Sequence, residues 1–506
     1  MVLQSTVPTY AVIPPELLRD EIADLVDLGV QVLTVVGTDD RHLGRGFSVD
    51  VAVLLPGGVT VRRTAHLSAT DPRYPAITTR VPACHWDERE MRELLGIVPE
   101  GHPDSRRLIL RDEWPDGVFP LRKDFDPSVL PPAPRHDSAH PLVVEDREIV
   151  QVPVGPIHAG IIEPGHFRFS AVGETILHLD AQLFYTHRGI EKVAEGRSPA
   201  GALMVAERTC GACAASHAAA FAMAVESIVE FTPPARANWA RTIVLELERL
   251  YNHLGDAGSM CAGGAFALGT MTGAYLKEQV QQQNERLVGH RFLRGAIAVG
   301  GLRRDLPEAE LLNLADQLRV WQSQAIRFRR MVMSQDTFVD RMRTTGIVST
   351  KVARDLGGVG VLARASGLDM DIRRDRPYFG YPLLEFSVRT QSAGDAEARF
   401  HQRLDEADVS FSILAQLLAH PVAGPIRAAL PALPVEGVGI GVVESPRGAN
   451  THWVRIGENG LVDRLRIRSA SFPNWPIVPL SAPGNLVPDF PMINKSFELC
   501  YACLDR

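Results

Sequence analysis

Two cysteine pairs with the same spacing are the residues of this chain best suited to chemistry. Cys210 and Cys213 lie in ERTCGACAASH, and Cys500 and Cys503 lie in the closing CYACLDR. Four thiolates make a soft ligand set that suits zinc, nickel or an iron-sulfur cluster. Identical spacing argues against separate core thiols, and the long separation between the pairs argues against a zinc ribbon. The sequence therefore predicts one buried metal or redox site built from two distant segments.

The segment after Cys213, AASHAAAFAMAVESI, is rich in alanine and predicts a helix. A thiol at a helix N-terminus lies in a positive field that favours the thiolate, the form that binds metals. His217 follows one turn later on the same face, so its ring can donate a hydrogen bond to a sulfur. We therefore expect His217 to tune the sulfur site. Cys84 and Cys261 stand alone and are assigned to packing.

Composition narrows the functions that this site could serve. The chain has 506 residues, of which 45% are hydrophobic, so more than one domain is expected. A net charge of -7 disfavours binding to nucleic acid. No secretory signal begins the chain, which indicates a cytoplasmic protein. The uncharged stretch 257–276 consists largely of small residues, which predicts close helix packing rather than a membrane span, so membrane association would come through a partner.

The chain predicts an α+β protein in two parts. Apolar runs such as VQVLTVVG and VDVAVLLPG, separated by turn residues, indicate a small α+β domain over 1–130. Prolines and scattered charges then predict a linker over 131–150. The remainder, 151–506, is mainly helical, with short strands near GVGIGVVE and LVDRLRIRSASF.

One helix is predicted in detail, over 237–254. Its apolar residues recur at steps of three and four and form one stripe towards the core: Trp239, Ile243, Leu247, Leu250 and Leu254. On that pattern Arg241, Glu248 and Asn252 are expected to face largely away from the core.

The cysteine motifs carry a resemblance to a known family. RTCGAC resembles RxCGxC, the first nickel-binding signature of [NiFe]-hydrogenase large subunits, and ELCYAC matches the second signature, DPCxxC, in its cysteines. Glu498 and Leu499 stand where that family has Asp-Pro. Because proline fixes the backbone direction and leucine does not, this departure bears on the position of Cys500.

Other blocks extend the resemblance over nearly the whole chain. GPIHAGIIEPGHFRF, FYTHRGIEK, LELERLYNHL, ESPRG and PNWP resemble group 4 hydrogenase large subunits of the formate hydrogenlyase and hydrogenase-4 type and, more distantly, the quinone-site subunit of complex I. Upstream, HWDEREMRELLGIVPEGHPDSRRLILRDEWPDGVFPLRKDF resembles the small hydrophilic subunit that complex I places beside it. The resemblance implies that a domain like this small hydrophilic subunit is fused to a hydrogenase large-subunit domain.

The resemblance also implies ligand roles. Cys210 and Cys500 would be terminal nickel ligands, whereas Cys213 and Cys503 would bridge nickel to an iron that carries diatomic ligands. Arg447 in ESPRG would lie above the open metal position, where a guanidinium can polarise hydrogen. A purely structural alternative is that Arg447 pairs with Glu444 or caps a strand end.

Three further residues take roles from the same resemblance. Glu163 would relay protons if burial raises its pKa, or would be a solvated turn residue beside Pro164. Glu191 could hold a magnesium ion, or could form a structural ion pair with Arg188 or Lys192. His158 matches a quinone-binding histidine of complex I and matters only for a quinone-linked function.

Three functions remain open. In the first, the chain cleaves or forms H2 at a Ni-Fe centre and passes electrons to an iron-sulfur cluster in a small partner subunit, because its helical segments lack further CxxC motifs for a cluster of their own. Membrane-arm subunits would then hold it at the cytoplasmic side of the inner membrane. The second is a nickel-free complex I C/D-like subunit with a quinone site, and the third is a nickel-free hydrogenase relative. No complete nucleotide-binding motif is present. Because the sequence ends three residues after Cys503, no removable C-terminal extension is expected.

Overall fold

The structure is a computed structural model that describes residues 9–110, 114–129, 131, 144, 146–158 and 162–506. Most of the predicted linker, 131–150, lies outside these residues, so the domain boundaries stay a prediction. The described chain forms a small unit of sheet and helices followed by a large, mainly helical unit with short sheets. This arrangement confirms the predicted α+β class.

The N-terminal unit consists of β1 (Tyr10–Val12), α1 (Pro15–Asp27), β2 (Gln31–Asp39), β3 (Phe47–Leu54), β4 (Thr60–Leu67), β5 (Arg73–Pro75), α2 (His85–Leu95) and β6 (Val98–Glu100). Its main sheet has the strand order β1, β4, β3, β2, with β1 parallel to β4 and the other pairs antiparallel. Every residue of β3 is buried, as are all but the first of β2. Both faces of these strands are therefore covered, and even their polar residues, such as Ser48 and Asp50, are buried.

The large unit begins with the antiparallel sheet of β7 (Val150–Val154), β8 (His166–Val172) and β9 (Thr175–Gln182). Its helical part consists of α3 (Ile190–Ala194), α4 (Pro199–Ala206), α5 (Ala214–Ser227), α6 (Ala235–Gly263), α7 (Ala267–Val288), α8 (Glu308–Met333), α9 (Asp336–Met342), α10 (Thr350–Asp355), α11 (Gly360–Ala365), α12 (Ile372–Asp375) and α13 (Ala396–Ala419), with the short hairpin β10 (Ile297–Ala298) and β11 (Gly301–Leu302). The last part holds β12 (Val438–Ser445), β13 (Gly448–Ile456), β14 (Val462–Arg468), α14 (Ser471–Asn474), α15 (Val478–Ser481), α16 (Phe490–Phe497) and α17 (Tyr501–Asp505).

Helix α6 lies at the centre of the large unit, in contact with α5, α7, α13 and α16. The predicted apolar stripe lies on it and is buried. The expectation for its polar residues was wrong, because Arg241, Glu248 and Asn252 are all buried as well. The cause is that neighbouring elements surround the helix. Arg241 pairs with Glu226, while Glu248 and Asn252 bind the loop and helix that follow Cys210.

Helix α5 packs on strand β12 with the two backbones in contact. A Cβ atom on Gly439 would lie 1.8 Å from the carbonyl oxygen of Ala224, and one on Gly441 would lie 1.9 Å from that of Ala220. Only glycine permits such an approach. Helix and strand are therefore fixed to each other two turns from the end of α5 that carries Cys213.

The predicted strands near 437–444 and 461–472 are confirmed as β12 and β14, and β13 pairs antiparallel between them. The turn between β12 and β13 contains Arg447. Residues of the N-terminal unit, such as Leu95, share a hydrophobic core with Phe472, Trp475 and Leu504, so the two units pack as one body. Across the described ranges, no helix combines the length and hydropathy that a membrane span requires.

Candidate metal centre

The first cysteine pair lies in the turn between α4 and α5. Cys213 is the residue directly before the helix, and its backbone N–H donates to Cys210 Sγ at 3.1 Å. Helix α6 holds this turn, because Asn252 Nδ2 donates to the carbonyl oxygen of Ala212 at 2.7 Å and the Tyr251 hydroxyl donates to the same oxygen at 3.1 Å. Hydrogen bonds from α6 therefore fix the turn that carries Cys210 and Cys213.

Glu248 caps the helix that follows. Its carboxylate accepts the backbone N–H of Ala215 at 2.7 Å and that of Ser216 at 2.9 Å, and the Ser216 hydroxyl donates to it as well. These are orphan donors of the first turn of α5. Burial raises the pKa of the Glu248 carboxyl to about 7 in spite of these hydrogen bonds.

The second pair lies at the start of α17. Cys500 precedes the helix and its Sγ accepts the Cys503 N–H at 3.3 Å, which repeats the geometry of the first pair. The Cys500 N–H donates to Ser471 Oγ at 3.1 Å. Just before it, Glu498 ends α16 in a left-handed conformation with φ 48°. The left-handed Glu498 thus turns the chain at the position where the [NiFe]-hydrogenase signature has Asp-Pro.

The two pairs meet in space. Cys503 Sγ lies 2.9 Å from Cys210 Sγ although 293 positions separate them, and the Sγ atoms of Cys210, Cys213 and Cys503 all lie within 4.8 Å of one another. All three are buried. Cys500 packs against this cluster but falls outside the mutual distance of 4.8 Å, and it is only half-buried.

The thiols of the cluster differ in how readily they ionise. Hydrogen bonds from Cys210 and then Cys503 lower the pKa of Cys213 to about 6, and Arg447 acts in the same direction. Contacts with Cys210 raise the pKa of both Cys500 and Cys503. One thiolate is therefore stabilised by its neighbours, and further thiolates are opposed by like charge. A cation is what such a set needs in order to hold several thiolates at once, so the donor set fits a thiophilic metal.

His217 contacts the cluster from α5. Its Nε2 lies 3.4 Å from Cys503 Sγ, and its Nδ1 lies 3.0 Å from His452 Nε2 and 3.2 Å from Asn450 Nδ2. Burial lowers the pKa of His217 to about 3, so the ring is neutral. Because the amide nitrogen of Asn450 can only donate, Nδ1 is assigned as the acceptor, which leaves the Nε2 proton for the sulfur.

Arg447 reaches the same site from the turn between β12 and β13. Both terminal nitrogens of its guanidinium contact Asp256 of α6, and the Nη2–Oδ1 distance is 3.0 Å. The pairing with Glu444 that the sequence allowed does not occur, since Glu444 pairs with Arg364 at 2.8 Å. A narrow gap that is too small to admit a water molecule remains here, lined by Cys213, His217, Ser445, Arg447, Asn450, Ser469, Ala470, Ser471 and Cys503.

Glu163 lies beside the second cysteine pair. Its Oε2 accepts the Ala502 N–H at 2.7 Å, which places the carboxyl one residue from Cys503. The side chain retains access to solvent, yet the loss of hydration around the carboxyl, reinforced by the neighbouring Cys500 sulfur, raises the pKa of Glu163 to about 7. The group can therefore exchange protons near neutral pH.

Glu191 is buried among three guanidinium groups. Its carboxylate contacts Arg464 at 2.8 Å, Arg466 at 3.2 Å and Arg506 at 2.8 Å. These cations hold its pKa well below the usual range. The structural ion pairs are thus with distant arginines and not with Arg188 or Lys192, and a carboxylate already neutralised in this way offers little to magnesium.

His158 lies at a turn before β8. Its Nε2 is 2.7 Å from the carbonyl oxygen of Gly165, and its ring centroid lies 6.0 Å from that of Phe167. One ring nitrogen of His158 is therefore engaged by the backbone.

Comparison with known proteins shows to which family this chain belongs. The model of the 49 kDa subunit of respiratory-chain NADH dehydrogenase matches residues 264–436 and 431–506, that of the 30 kDa subunit matches 11–129, and that of nickel-dependent hydrogenase matches 188–255. Formate hydrogenlyase subunit 5 of Escherichia coli (strain K12) is 35% identical over 485 residues, which cover 93% of this chain and 84% of that protein. The chain belongs to the group 4 hydrogenase and complex I-like subunit family.

Other members of this family show the same fused order. Hydrogenase-4 component G of Escherichia coli (strain K12) is 34% identical and matches 93% of this chain and 83% of its own length. The C/D fusion protein of NADH-quinone oxidoreductase from Methylococcus capsulatus (strain ATCC 33009 / NCIMB 11132 / Bath) is 27% identical over 90% of this chain and 85% of that protein. The chain is accordingly an oxidoreductase subunit in which both complex I-like parts, the small N-terminal one and the large one, are fused.

A solved structure supports the fold of the large unit. A chain of the membrane-bound sulfane sulfur reductase, an archaeal respiratory membrane complex, superposes with a TM-score of 0.67 at 26% identity, covering 71% of this chain and 99% of its own. Relatives in this family include subunits of membrane-bound complexes, such as the alpha subunit of a membrane-bound hydrogenase from Pyrococcus furiosus.

Sequence reasoning missed two residues of the candidate site. Asp256, which holds Arg447, and Glu248, which caps α5, lie on α6 with Asn252 at steps of four residues. That spacing was a signal, because a polar stripe on a helix beside an apolar one indicates buried polar partners when the helix is surrounded. Cys84 and Cys261, assigned to packing, are fully buried and lie outside the cluster.

Proposed function

We propose that this chain is the large subunit of a membrane-linked group 4 [NiFe]-hydrogenase of the formate hydrogenlyase type. The observation that carries the proposal is the convergence of Cys210, Cys213 and Cys503 within 4.8 Å, beside the fixed guanidinium of Arg447. A quinone site has no need of buried thiols at this spacing. A group of soft donors that mutually disfavour ionisation is, in contrast, well suited to a thiophilic metal.

In this proposal Cys210, Cys213, Cys500 and Cys503 would hold the metals. When bound there, a nickel-iron centre with diatomic ligands on iron supplies heterolytic cleavage or formation of H2. Cys500 lies outside the set of three close sulfurs and is the ligand that must adjust most. Glu191 is left out of the ligand set, because three arginines already neutralise it.

The surrounding residues bind and orient. Arg447 keeps a positive charge beside Cys213, and Asp256 fixes the direction of its guanidinium. A fixed charge in a buried site polarises a reactant without reorganisation. The Nε2–H group of His217 donates a hydrogen bond to Cys503 Sγ, which lowers the charge density on that sulfur.

Glu163 serves as the proton carrier. Its carboxyl contacts the backbone of the second cysteine pair on one side and solvent on the other. With a pKa of about 7 it can both accept and release a proton at neutral pH. Electrons leave to an iron-sulfur small subunit, and membrane-arm subunits hold the assembly at the cytoplasmic side of the inner membrane. We place the domain boundary within 131–150.

The test is the metal content of the chain purified with its partner subunits. Nickel and iron are measured in the native chain, in Cys503→Ala and in the matched control Cys261→Ala, which removes a buried thiol outside the cluster. About one nickel per chain in the native protein and the control, with loss in Cys503→Ala, supports the proposal. No nickel in the native protein overturns it and favours the nickel-free C/D-like quinone function.

A further inference from the structure

The segment Thr186–Arg188, between β9 and α3, binds the chain around the second cysteine pair. The Thr186 N–H donates to the Asp505 carboxylate at 3.0 Å, and the Thr186 hydroxyl donates to the same oxygen. The Arg188 N–H donates to the carbonyl oxygen of Arg506 at 2.8 Å. This segment therefore forms a cradle for α17, in which Cys503 lies.

The side chain of Arg188 contacts both cysteine pairs at once. Its Nη2 donates to the carbonyl oxygen of Thr209 at 2.7 Å and to that of Ala502 at 2.8 Å. Thr209 directly precedes Cys210, and Ala502 directly precedes Cys503. These are the two cysteines whose sulfurs lie 2.9 Å apart. One nitrogen thus joins the backbones of two segments that are distant in the sequence.

A guanidinium suits this task. Its donors lie in one plane at fixed angles, so two carbonyls bound to the same nitrogen are held at a fixed separation. A lysine ammonium carries the same charge, but its donors rotate on a flexible stem and define no such angle. A third contact, from Nη1 to the carbonyl oxygen of Arg208 at 3.3 Å, holds the fork in its plane.

We propose that Arg188 is a positioning residue that fixes the approach of Cys210 to Cys503. This inference deepens the proposed function, in which those sulfurs are metal ligands, but it concerns their separation in the metal-free chain. Holding the two segments together before a metal binds lowers the entropy that binding would otherwise cost.

The experiment measures how readily the two thiols form a disulfide, since that equilibrium depends on their approach. The metal-free full-length chain is equilibrated in glutathione and glutathione disulfide, quenched with acid, and the Cys210–Cys503 linkage is quantified by peptide mapping. Native protein, Arg188→Ala and Arg188→Lys are compared. Arg197→Ala is the control. Like Arg188, Arg197 is an exposed arginine whose side chain donates to the backbone, but its acceptor is the carbonyl oxygen of Val193, away from the cysteines.

We expect the disulfide equilibrium constant to fall about tenfold or more in Arg188→Ala, to fall about threefold in Arg188→Lys, and to stay unchanged in Arg197→Ala. Circular dichroism identifies any variant that does not fold. If Arg188→Ala fails to fold, Arg188→Lys decides, and a native constant in a folded Arg188→Lys overturns the inference. An unchanged constant in a folded Arg188→Ala overturns it directly.

The outcome is separate from that of the proposed function. A native chain with a high disulfide constant that falls in the Arg188 variants, but with no nickel in its complex, would refute the hydrogenase proposal and leave the positioning role in place. Nickel in the complex with no effect of Arg188 on the thiols would do the reverse.

Discussion

Glu90 accepts a hydrogen bond from Arg506 Nη2 at 2.7 Å, so a helix of the N-terminal unit contacts the chain three residues after Cys503. Arg506 also binds Glu191, and Arg466 binds Glu90, Asp87 and Glu191. We call these residues, with Arg464 and Arg468, the interunit charge cluster. All of its members are buried. Through this cluster the N-terminal unit contributes directly to the surroundings of the second cysteine pair.

Replacing Glu90 with alanine should destabilise the protein strongly. The change leaves Arg466 and Arg506 buried with too little negative charge, and breaking a buried pair typically costs about 3–5 kcal/mol. The measurement is the free energy of unfolding in urea. Glu100→Ala is the control, because Glu100 pairs with Arg73 at 3.4 Å in an exposed position and should cost less than about 1 kcal/mol. Equal effects of the two changes would contradict a structural role for the cluster.

Arg447→Lys should lower the rate of H2 uptake by roughly 100-fold or more, because a flexible ammonium cannot keep the orientation that Asp256 gives the guanidinium. Nickel content should not change, since Arg447 is not a proposed ligand. Asp256→Asn should give a loss in the same direction. The assay is H2 uptake with an artificial electron acceptor, normalised to nickel. A lysine variant with native activity would remove Arg447 from the reaction.

The proposed proton carrier makes the pH profile predictable. With a pKa of about 7, Glu163 is protonated below neutral pH and ionised above it. As a proton acceptor in H2 oxidation it works in the ionised form, so the rate should rise as pH rises through about 7. For H2 formation, where it donates, the rate should fall over the same range.

Glu163→Gln retains an acceptor for the Ala502 N–H but cannot carry a proton, so both the rate and this dependence on pH should be lost. Glu174→Gln is the control, since Glu174 is exposed on the β8–β9 turn. If the glutamine variant keeps the native pH profile, the carrier lies elsewhere.

Glu248→Ala should lower the free energy of unfolding by about 1–3 kcal/mol, because two backbone N–H groups at the start of α5 lose their acceptor away from water. The comparison is Ser198→Ala, which removes an exposed cap whose side chain accepts the Gly201 N–H at 3.3 Å and should cost about 1 kcal/mol. Both are measured by urea denaturation. A smaller effect for Glu248 than for Ser198 would show that water replaces the carboxylate.

Local patterns carried much of the information in the sequence. The helix after Cys213 followed from its alanines, and β12 and β14 followed from apolar runs between turn residues. The position of His217 one turn beyond Cys213 needed only the helical period. The identical spacing of the two cysteine pairs predicted that they form one site, and the resemblance supported this. The close approach of Cys210 to Cys503 could not be predicted, because the spacing within two short motifs does not determine the distance between them in space.

What the sequence could not give were the partners of charged residues. Reasoning from neighbours offered Glu444 as an alternative partner for Arg447, and Arg188 or Lys192 for Glu191. In the structure Arg447 binds Asp256, which is 191 positions away, and Glu191 binds arginines from β14 and Arg506. Many carboxylates could satisfy a guanidinium equally well, and the fold decides which one is near. The roles of these residues in catalysis stay predictions.

The contact between α5 and β12 links the two sides of the centre by length. Moving from Ala220 back to Cys213 covers about 10 Å at about 1.5 Å per residue. Moving from Gly441 forward to Glu444 covers about 10 Å at about 3.3 Å per residue. Gly441 lies against Ala220, and from this contact the helix and the strand cover the same distance towards the site. Cys213 and the turn that contains Arg447 therefore lie at the same level. Inserting one residue between Gly441 and Arg447 would shift the turn and reverse the faces of the intervening strand residues, so this length is as much a part of the site as the cysteines are.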